Sequence, residues 1–341
     1  MLNETTKKKS GALRALVTLL VCAMLPLAAP SSAEAEEYVL KFQSVAPDRT
    51  PWARQLKRLK KRWEEKSEGR LKVKLFLGRG NEIALVRKCK AGELQAVGVS
   101  TAAMVEEIPA MGVFELPYLF SSTAQADKVI DNHLFKPTEE LLGKNGFQLY
   151  IFSENGYRNF ATKGKEIHTP ADLAGIKMRV QENWIHEEMY KALGGNPVRI
   201  SVAEVLTSLS TNQVNGFDNT PLFSFATSWF TEIDTWTVSD HIYQPAVVVY
   251  NKKWFDKLPK DLQEMLLADR AEETKKGRTA VRRLTPKLLK KLEEKGVKIY
   301  KMTDAEKADF RKKTAKVHNM FNSKGGPDGA KMLKIVKQHA K

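Results

Sequence analysis

The stretch AGIKMRV, Ala174 to Val180, decides how this chain is read. Apolar Ile176, Met178 and Val180 alternate with Lys177 and Arg179, the period-two pattern of a half-buried strand. Arg179 is then the penultimate residue of that strand: either a solvated side chain or a guanidinium set at a strand end to hold something. Upstream, Thr169 and Pro170 start a short helix that Gly175 stops. Downstream, a helix spans Trp184 to Leu193 and is closed by Gly194 and Gly195. Ser201 and Glu204 form an S-x-x-E capping box, VNGFDN is a short strand, and Thr220-Pro221 opens a helix through Phe230.

The same alternation precedes this region. Strands are expected at Tyr38–Val45, Leu71–Leu77 and Leu94–Val99. A helix opens at Thr50-Pro51 with Trp52, Leu56, Leu59 and Trp63 on one stripe, and another runs from Asn81 to Ala91 with Gly92 past its end. Phe147–Phe152 is a strand followed by the loop SENGYRNF, and the β-forming run His241–Tyr250 returns the chain toward its first region. Pro259 to Glu294 is helical and highly charged, with a kink or break expected at Pro286. VKIY is a last strand and Asp304–Phe321 a terminal helix. Strands alternating with helices define an α/β sheet with crossovers. The expected domains are lobe I from residues 37–156 with 245–282, lobe II from 157–244 with 283–330, and a tail at 331–341.

The first residues belong to targeting. Lys7, Lys8, Lys9 and Arg14 precede the apolar run Ala15–Ala29, and small residues follow, the signature of a secretory signal peptide over 1–33. No other run approaches ~18 apolar residues, so an exported, soluble periplasmic protein without stable membrane insertion is expected. Removing that peptide lowers the formal charge from +16 to about +13. The basic residues spread over helices as solvated faces, and no aromatic-plus-basic nucleic-acid motif is present, so nucleic acid is not an expected partner. The remaining Cys89 has no disulfide partner and sits on the apolar side of a helix as a small core residue.

Catalytic patterns are missing. His186-Glu187 lacks the second histidine of a zinc-binding HExxH, no G-x-S-x-G elbow occurs, and no glycine-rich loop after a strand forms a nucleotide cradle. The sequence therefore calls for no metal, no cofactor and no enzyme. Polar groups at strand ends are left, where ligands of open α/β sheets bind. Arg179, Arg158 a few residues beyond its strand, and Asn219 just before the Thr220 cap can surround a small carboxylate. Taken singly, Arg158 also reads as a loop surface residue and Asn219 as a turn residue.

From His168 onward, TPADLAGIKMRVQEN, MYKALGGNPVRISVAEVLTSLSTNQVNGFDNTP and NKKWFDKLPKDLQEML resemble the solute-binding (P) subunits of TRAP transporters, the tripartite ATP-independent periplasmic family. GNEIALVRKCKAGELQAVGVS and FELPYLF extend the resemblance over nearly the whole mature chain. It implies a two-lobed periplasmic-binding-protein fold that closes by a hinge, with a long helix crossing between the lobes. It also implies that Arg179 pairs with a substrate carboxylate, that Arg158 is a second contact and that Asn219 completes the clamp. Trp52, Asn81, Glu82, Trp184 and Phe223 are expected to line the cleft. The partners implied are an organic-acid anion and the small and large TRAP membrane subunits. Phe217-Asp218-Asn219 departs from the family's frequent Q-E-N, and Thr207-Ser208-Leu209 from its alanine-leucine pair, so the acid stays unnamed. An ABC importer or sensor kinase as client, or a periplasmic hydrolase, are the competing readings.

Overall fold

A computed structural model describes residues 37–340; the expected signal peptide lies outside the described residues. Nine strands form one sheet: β1 Tyr38–Ser44, β2 Leu71–Leu77, β3 Ala96–Ser100, β4 Phe147–Thr162, β5 Lys177–Val180, β6 Asn196–Arg199, β7 Gly216–Asn219, β8 Thr235–Asn251 and β9 Lys298–Lys301. Their order is β2-β1-β3-β8-β4-β7-β5-β6, with β9 beside β8. Strands β4 and β8 are long and antiparallel, and they divide the sheet between two lobes. The Ala246–Tyr250 end of β8 pairs with β3 in one lobe, while its Thr235–Val238 end pairs with β9 in the other. The β4 residues Asn159 to Thr162 carry β7 on their other side.

Period-two patterning buries both faces. On β8, Val247 and Val249 join a core with Val97, Val99, Leu149 and Phe152, while Ala246, Val248 and Tyr250 face Phe42, Trp63 and Tyr150. In the second lobe Phe160 packs with Met178, Val180 and Tyr190, and its neighbour Ala161 with Phe217 and Trp236. Buried on both faces, these strands read as apolar runs rather than alternating ones.

Most expected elements are present, and the exceptions have identifiable causes. The loop expected after Phe152 is strand: β4 continues to Thr162, absorbing Asn155-Gly156 as a register shift between Glu154 and Gly156, with Gly156 at φ 107°. Pro286 does not break its helix, which runs unbroken over Arg270–Glu294. An interior proline costs ~3 kcal/mol, and burial of Leu288 and Leu292 beyond it returns ~1.5–3 kcal/mol each. The break falls instead at Asp269, whose φ of 59° separates this helix from Lys260–Leu267. The Ser201–Glu204 box does not cap a helix: Ser201 Oγ donates to the Glu204 carboxylate at 2.7 Å, and the helix begins later, at Val205. The short strand β6 was not anticipated. Residues 331–341, expected as a tail, belong mostly to the helix Gly326–His339, whose Met332, Leu333 and Val336 are buried.

The two ends of the helix Arg270–Glu294 pack on different parts of the fold. Near its start the Glu273 carbonyl accepts from Gln55 Nε2 at 2.8 Å, and near its end Leu292 packs in the cluster of Trp236 and Phe217.

Gly216 opens β7 in a gap too small for a side chain. A Cβ there would lie 2.7 Å from the Ala161 carbonyl oxygen and 2.6 Å from Met178 Sδ. Gly216→Ala is expected to cost about 1–3 kcal/mol in urea denaturation. Parent-like stability would show that β4, β5 and β7 separate readily at this point.

Candidate functional site

Strands β4, β7 and β5 lie side by side, with Asn159 paired to Asn219 and Arg179 to Phe217. That pairing brings the strand-end groups of the second lobe together. Facing them from the first lobe are the end of β1, Trp52, Glu82 and Gly98–Ser100 of β3. The two sides enclose a cavity of about 50 Å³, several times the ~10–15 Å³ that one water needs.

Arg179 is 2 % exposed. Its Nε donates to the Ile200 carbonyl at 2.9 Å and its guanidinium lies 5.3 Å over the Trp229 ring. Nη1 and Nη2 have no partner among the described residues, and the side chain lines the cavity. Burial, with the nearby charge of Arg158, pushes its pKa down to about 10, so it stays charged at neutral pH.

Arg158 is equally buried but almost saturated. Nε donates to Asp218 Oδ2 at 2.6 Å, Nη2 to the Asp218 carbonyl at 2.6 Å, and Nη1 to Gln181 Oε1 and Gln244 Oε1 at 3.2 and 3.0 Å. Four of its five N–H groups are occupied, leaving one on Nη2. Burial opposes ionisation of Asp218, but Arg158 and His241 outweigh it and hold the carboxyl well below the usual range. The two arginines are thus unequal: one charge is neutralised within the protein, the other is free.

Asn219 Oδ1 accepts from the Thr220 amide at 2.8 Å, which leaves its Nδ2 as a donor on the cavity wall. Glu82 accepts from the Ser100 amide and hydroxyl, both at 2.8 Å, and from Gln181 Nε2 at 2.9 Å. Burial raises its carboxyl above the usual value, against the lowering effect of the Ser100 bonds. Behind this wall, Gln244 Nε2 donates to Gln181 and to Glu115, whose other oxygen accepts from Thr101. His186 Nε2 lies 2.8 Å from Glu115, and His241 Nε2 3.3 Å from Asp218.

Of the residues expected here, Arg179, Arg158, Asn219, Glu82, Trp52 and Phe223 line the cavity. Trp52 Nε1 donates to the Glu154 carbonyl at 3.1 Å, which fixes its ring in the wall. Two others, Asn81 and Trp184, are not among the residues lining the cavity. Asn81 lies at the edge of the cleft, capping its helix through Oδ1 and donating from Nδ2 to the Glu182 carboxylate at 3.2 and 3.0 Å. Trp184 packs outside the cavity, stacked on Phe321 with Lys324 Nζ 4.7 Å from its ring, because the helix it opens turns that face toward Asp304–Lys324. Sequence reasoning missed Gln181, Gln244 and the counter-ion role of Asp218. Gln181 follows Arg179 by two residues at the same strand end, and Gln244 is the one polar side chain between Tyr243 and Tyr250, so both carried a signal.

A two-lobed sheet with a free, buried guanidinium between its lobes defines a ligand-binding protein. The chain belongs to the bacterial extracellular solute-binding proteins of family 7, whose model matches residues 42–324. It is 29% identical over 277 residues to the 2,3-diketo-L-gulonate-binding periplasmic protein YiaO of Escherichia coli, covering 80% of this chain and 83% of that one. It is 27% identical over 333 residues to the C4-dicarboxylate-binding periplasmic protein DctP of Rhodobacter capsulatus, covering 95% and 98%. Among solved structures, the sugar acid binding protein DctPAm of Advenella mimigardefordensis in complex with galactonate superposes with a TM-score of 0.84 at 29% identity, over 90% of this chain and all of that one (100%).

Proposed function

We propose that this protein captures a small organic-acid anion between its lobes in the periplasm and delivers it to the small and large membrane subunits of a TRAP transporter, without catalysing a reaction. The observation that carries this reading is Arg179: a buried guanidinium on the cavity wall whose two terminal nitrogens have no partner among the described residues. A carboxylate fits that fork with two parallel hydrogen bonds, with the free Asn219 amide and the last N–H of Arg158 beside it. The relatives named above for diketogulonate, C4-dicarboxylates and galactonate all handle carboxylic acids. No helix among the described residues is long and apolar enough to cross a membrane, in keeping with a carrier that meets its transporter as a separate subunit.

The reading assigns residues 37–156 and 245–282 to one lobe and 157–244 and 283–330 to the other. Asn81 to Glu182 and Glu82 to Gln181 then bridge the cleft and describe a closed state. Ligand favours that state only by binding it better than the open one. Native mass spectrometry after gentle purification, followed by thermal-shift titration of each released acid, tests the proposal. A bound carboxylate is expected to stabilise the fold by ~2.7 kcal/mol at one hundred times its Kd. Absence of a shift with any carboxylate would remove the proposal.

A further inference from the structure

The charges in the cavity wall bear on which acids the site accepts, an inference that rests on the reading of Arg179 as the carboxylate anchor. Among the described residues, three charged side chains line the cavity: Arg158, Arg179 and Glu82. Asp218 neutralises Arg158 from behind the wall, the terminal nitrogens of Arg179 hold no carboxylate among the described residues, and Glu82 puts a negative charge on the wall. One carboxylate restores a pair with Arg179. A second finds no free cation, and Glu82 repels it.

Glu82 also defines what can take the place of that second carboxylate. Its oxygens accept three hydrogen bonds, two from Ser100 and one from Gln181. A carboxylate offers about four acceptor positions, so one is left for a donor in the cavity. Asn219 Nδ2 and the last N–H of Arg158 stand with Arg179 on the carboxylate side, and the polar groups nearer Glu82 already hold bonds within the protein. Thr50 Oγ1 donates to Pro47 and caps its helix, Ser44 Oγ accepts from Ala46, and Asn155 Nδ2 donates to Gln244. The rest of the wall is apolar, with Trp52, Val202, Leu222 and Phe223.

We propose that Glu82 is a specificity-determining residue that makes the site selective for monoanionic hydroxy acids: Arg179 takes the single carboxylate, Glu82 accepts from a hydroxyl, and dicarboxylates are rejected. A site that hydrogen-bonds a substrate hydroxyl also discriminates against analogues that lack it, because its buried acceptor is then left unpaired.

The test is calorimetric titration with glycerate, lactate and galactonate against succinate and malate, on the parent and on Glu82→Gln, with a melting curve for each protein. The parent is expected to bind at least one hydroxy monoacid about 100-fold or more tighter than either dicarboxylate. Glu82→Gln is expected to narrow that ratio about tenfold or more, by weakening the monoacid and strengthening the dicarboxylate. Dicarboxylate binding as tight as that of the monoacids, or a ratio unmoved by Glu82→Gln in a folded protein, overturns the selectivity. If dicarboxylate binding is tight and is lost in Arg179→Met, carboxylate capture stands and only the role of Glu82 falls. If no acid of either class binds, both fall. The parent panel decides the matter even where the variant does not fold.

Discussion

An Arg179→Met variant is expected to lose about 2–5 kcal/mol of ligand affinity, roughly 30- to 5,000-fold in Kd, with no loss of stability in the ligand-free state. The two halves of that result have one cause. The guanidinium is charged, buried and without a partner on its terminal nitrogens among the described residues. Its pKa is pushed down to about 10, chiefly through burial. That lowering corresponds to a cost on the order of 3 kcal/mol to the folded state. The sign follows from proton binding: the unfolded chain holds this proton more tightly, so the cost is in full below about pH 10 and is relieved only as the pH rises beyond it. A ligand carboxylate supplies the missing partner. Methionine removes the cost and forfeits the hydrogen bond to Ile200, worth ~1 kcal/mol, and the stacking on Trp229 at ~0.5–2 kcal/mol. Calorimetry and a melting curve at pH 7 read both effects. Parent-like affinity would take Arg179 out of the site, and a melting temperature lowered by several degrees would make the guanidinium a structural group. Arg179→Lys, which keeps charge but loses the fork, is expected to fall between parent and Met.

The sequence made Arg179 legible because its strand is short, alternating and stopped by turn residues on both sides. Position at a strand end then carried chemical meaning. Arg158 was named for the right cavity but from the wrong local structure. Asn155-Gly156 has the composition of a turn, yet the long pairing with β8 carries the chain straight through as a shift in register. Tertiary hydrogen bonding outweighs turn propensity there, and it places Arg158 in a buried strand rather than a loop. The same override kept Pro286 inside a helix. Trp184 failed for a different reason. Proximity in sequence to Arg179 says nothing about which face of the next helix carries the ring, and that face packs on Phe321. The pairing of Arg158 with Asp218, sixty positions apart, is a product of topology. No local pattern contains it, although an acid between Phe217 and Asn219 at a strand end signals that some counter-charge is near.

That pairing sets the second large effect. Asp218→Asn is expected to destabilise the fold by about 3–5 kcal/mol, since it leaves Arg158 charged and buried without its counter-ion. In a protein of this size the melting temperature should fall by about 10 °C. Deleting both charges, in Arg158→Met with Asp218→Asn, should recover part of the loss, because two desolvated ions are then replaced by neutral groups. The acid dependence separates Asp218 from its neighbour His241. The folded pKa of Asp218 is depressed, so its contribution is complete above the unfolded value near 3.9 and disappears only as the pH falls through the folded one. His241 is held neutral chiefly by burial, against the pull of Asp218. It contributes in full above the unfolded value near 6.5 and loses stability below it, because the unfolded chain takes up a proton that the folded one excludes. The parent should therefore soften in two stages, first below about pH 6.5 and again below about pH 4, and in Asp218→Asn the second should shrink to the share of the more exposed carboxyls that are also held low, such as Glu306 and Glu107. Equal acid profiles for parent and variant, or a double variant no more stable than the single one, would show that the Arg158–Asp218 pair does not hold the second lobe together. In that case the asymmetry between the two arginines would need another source.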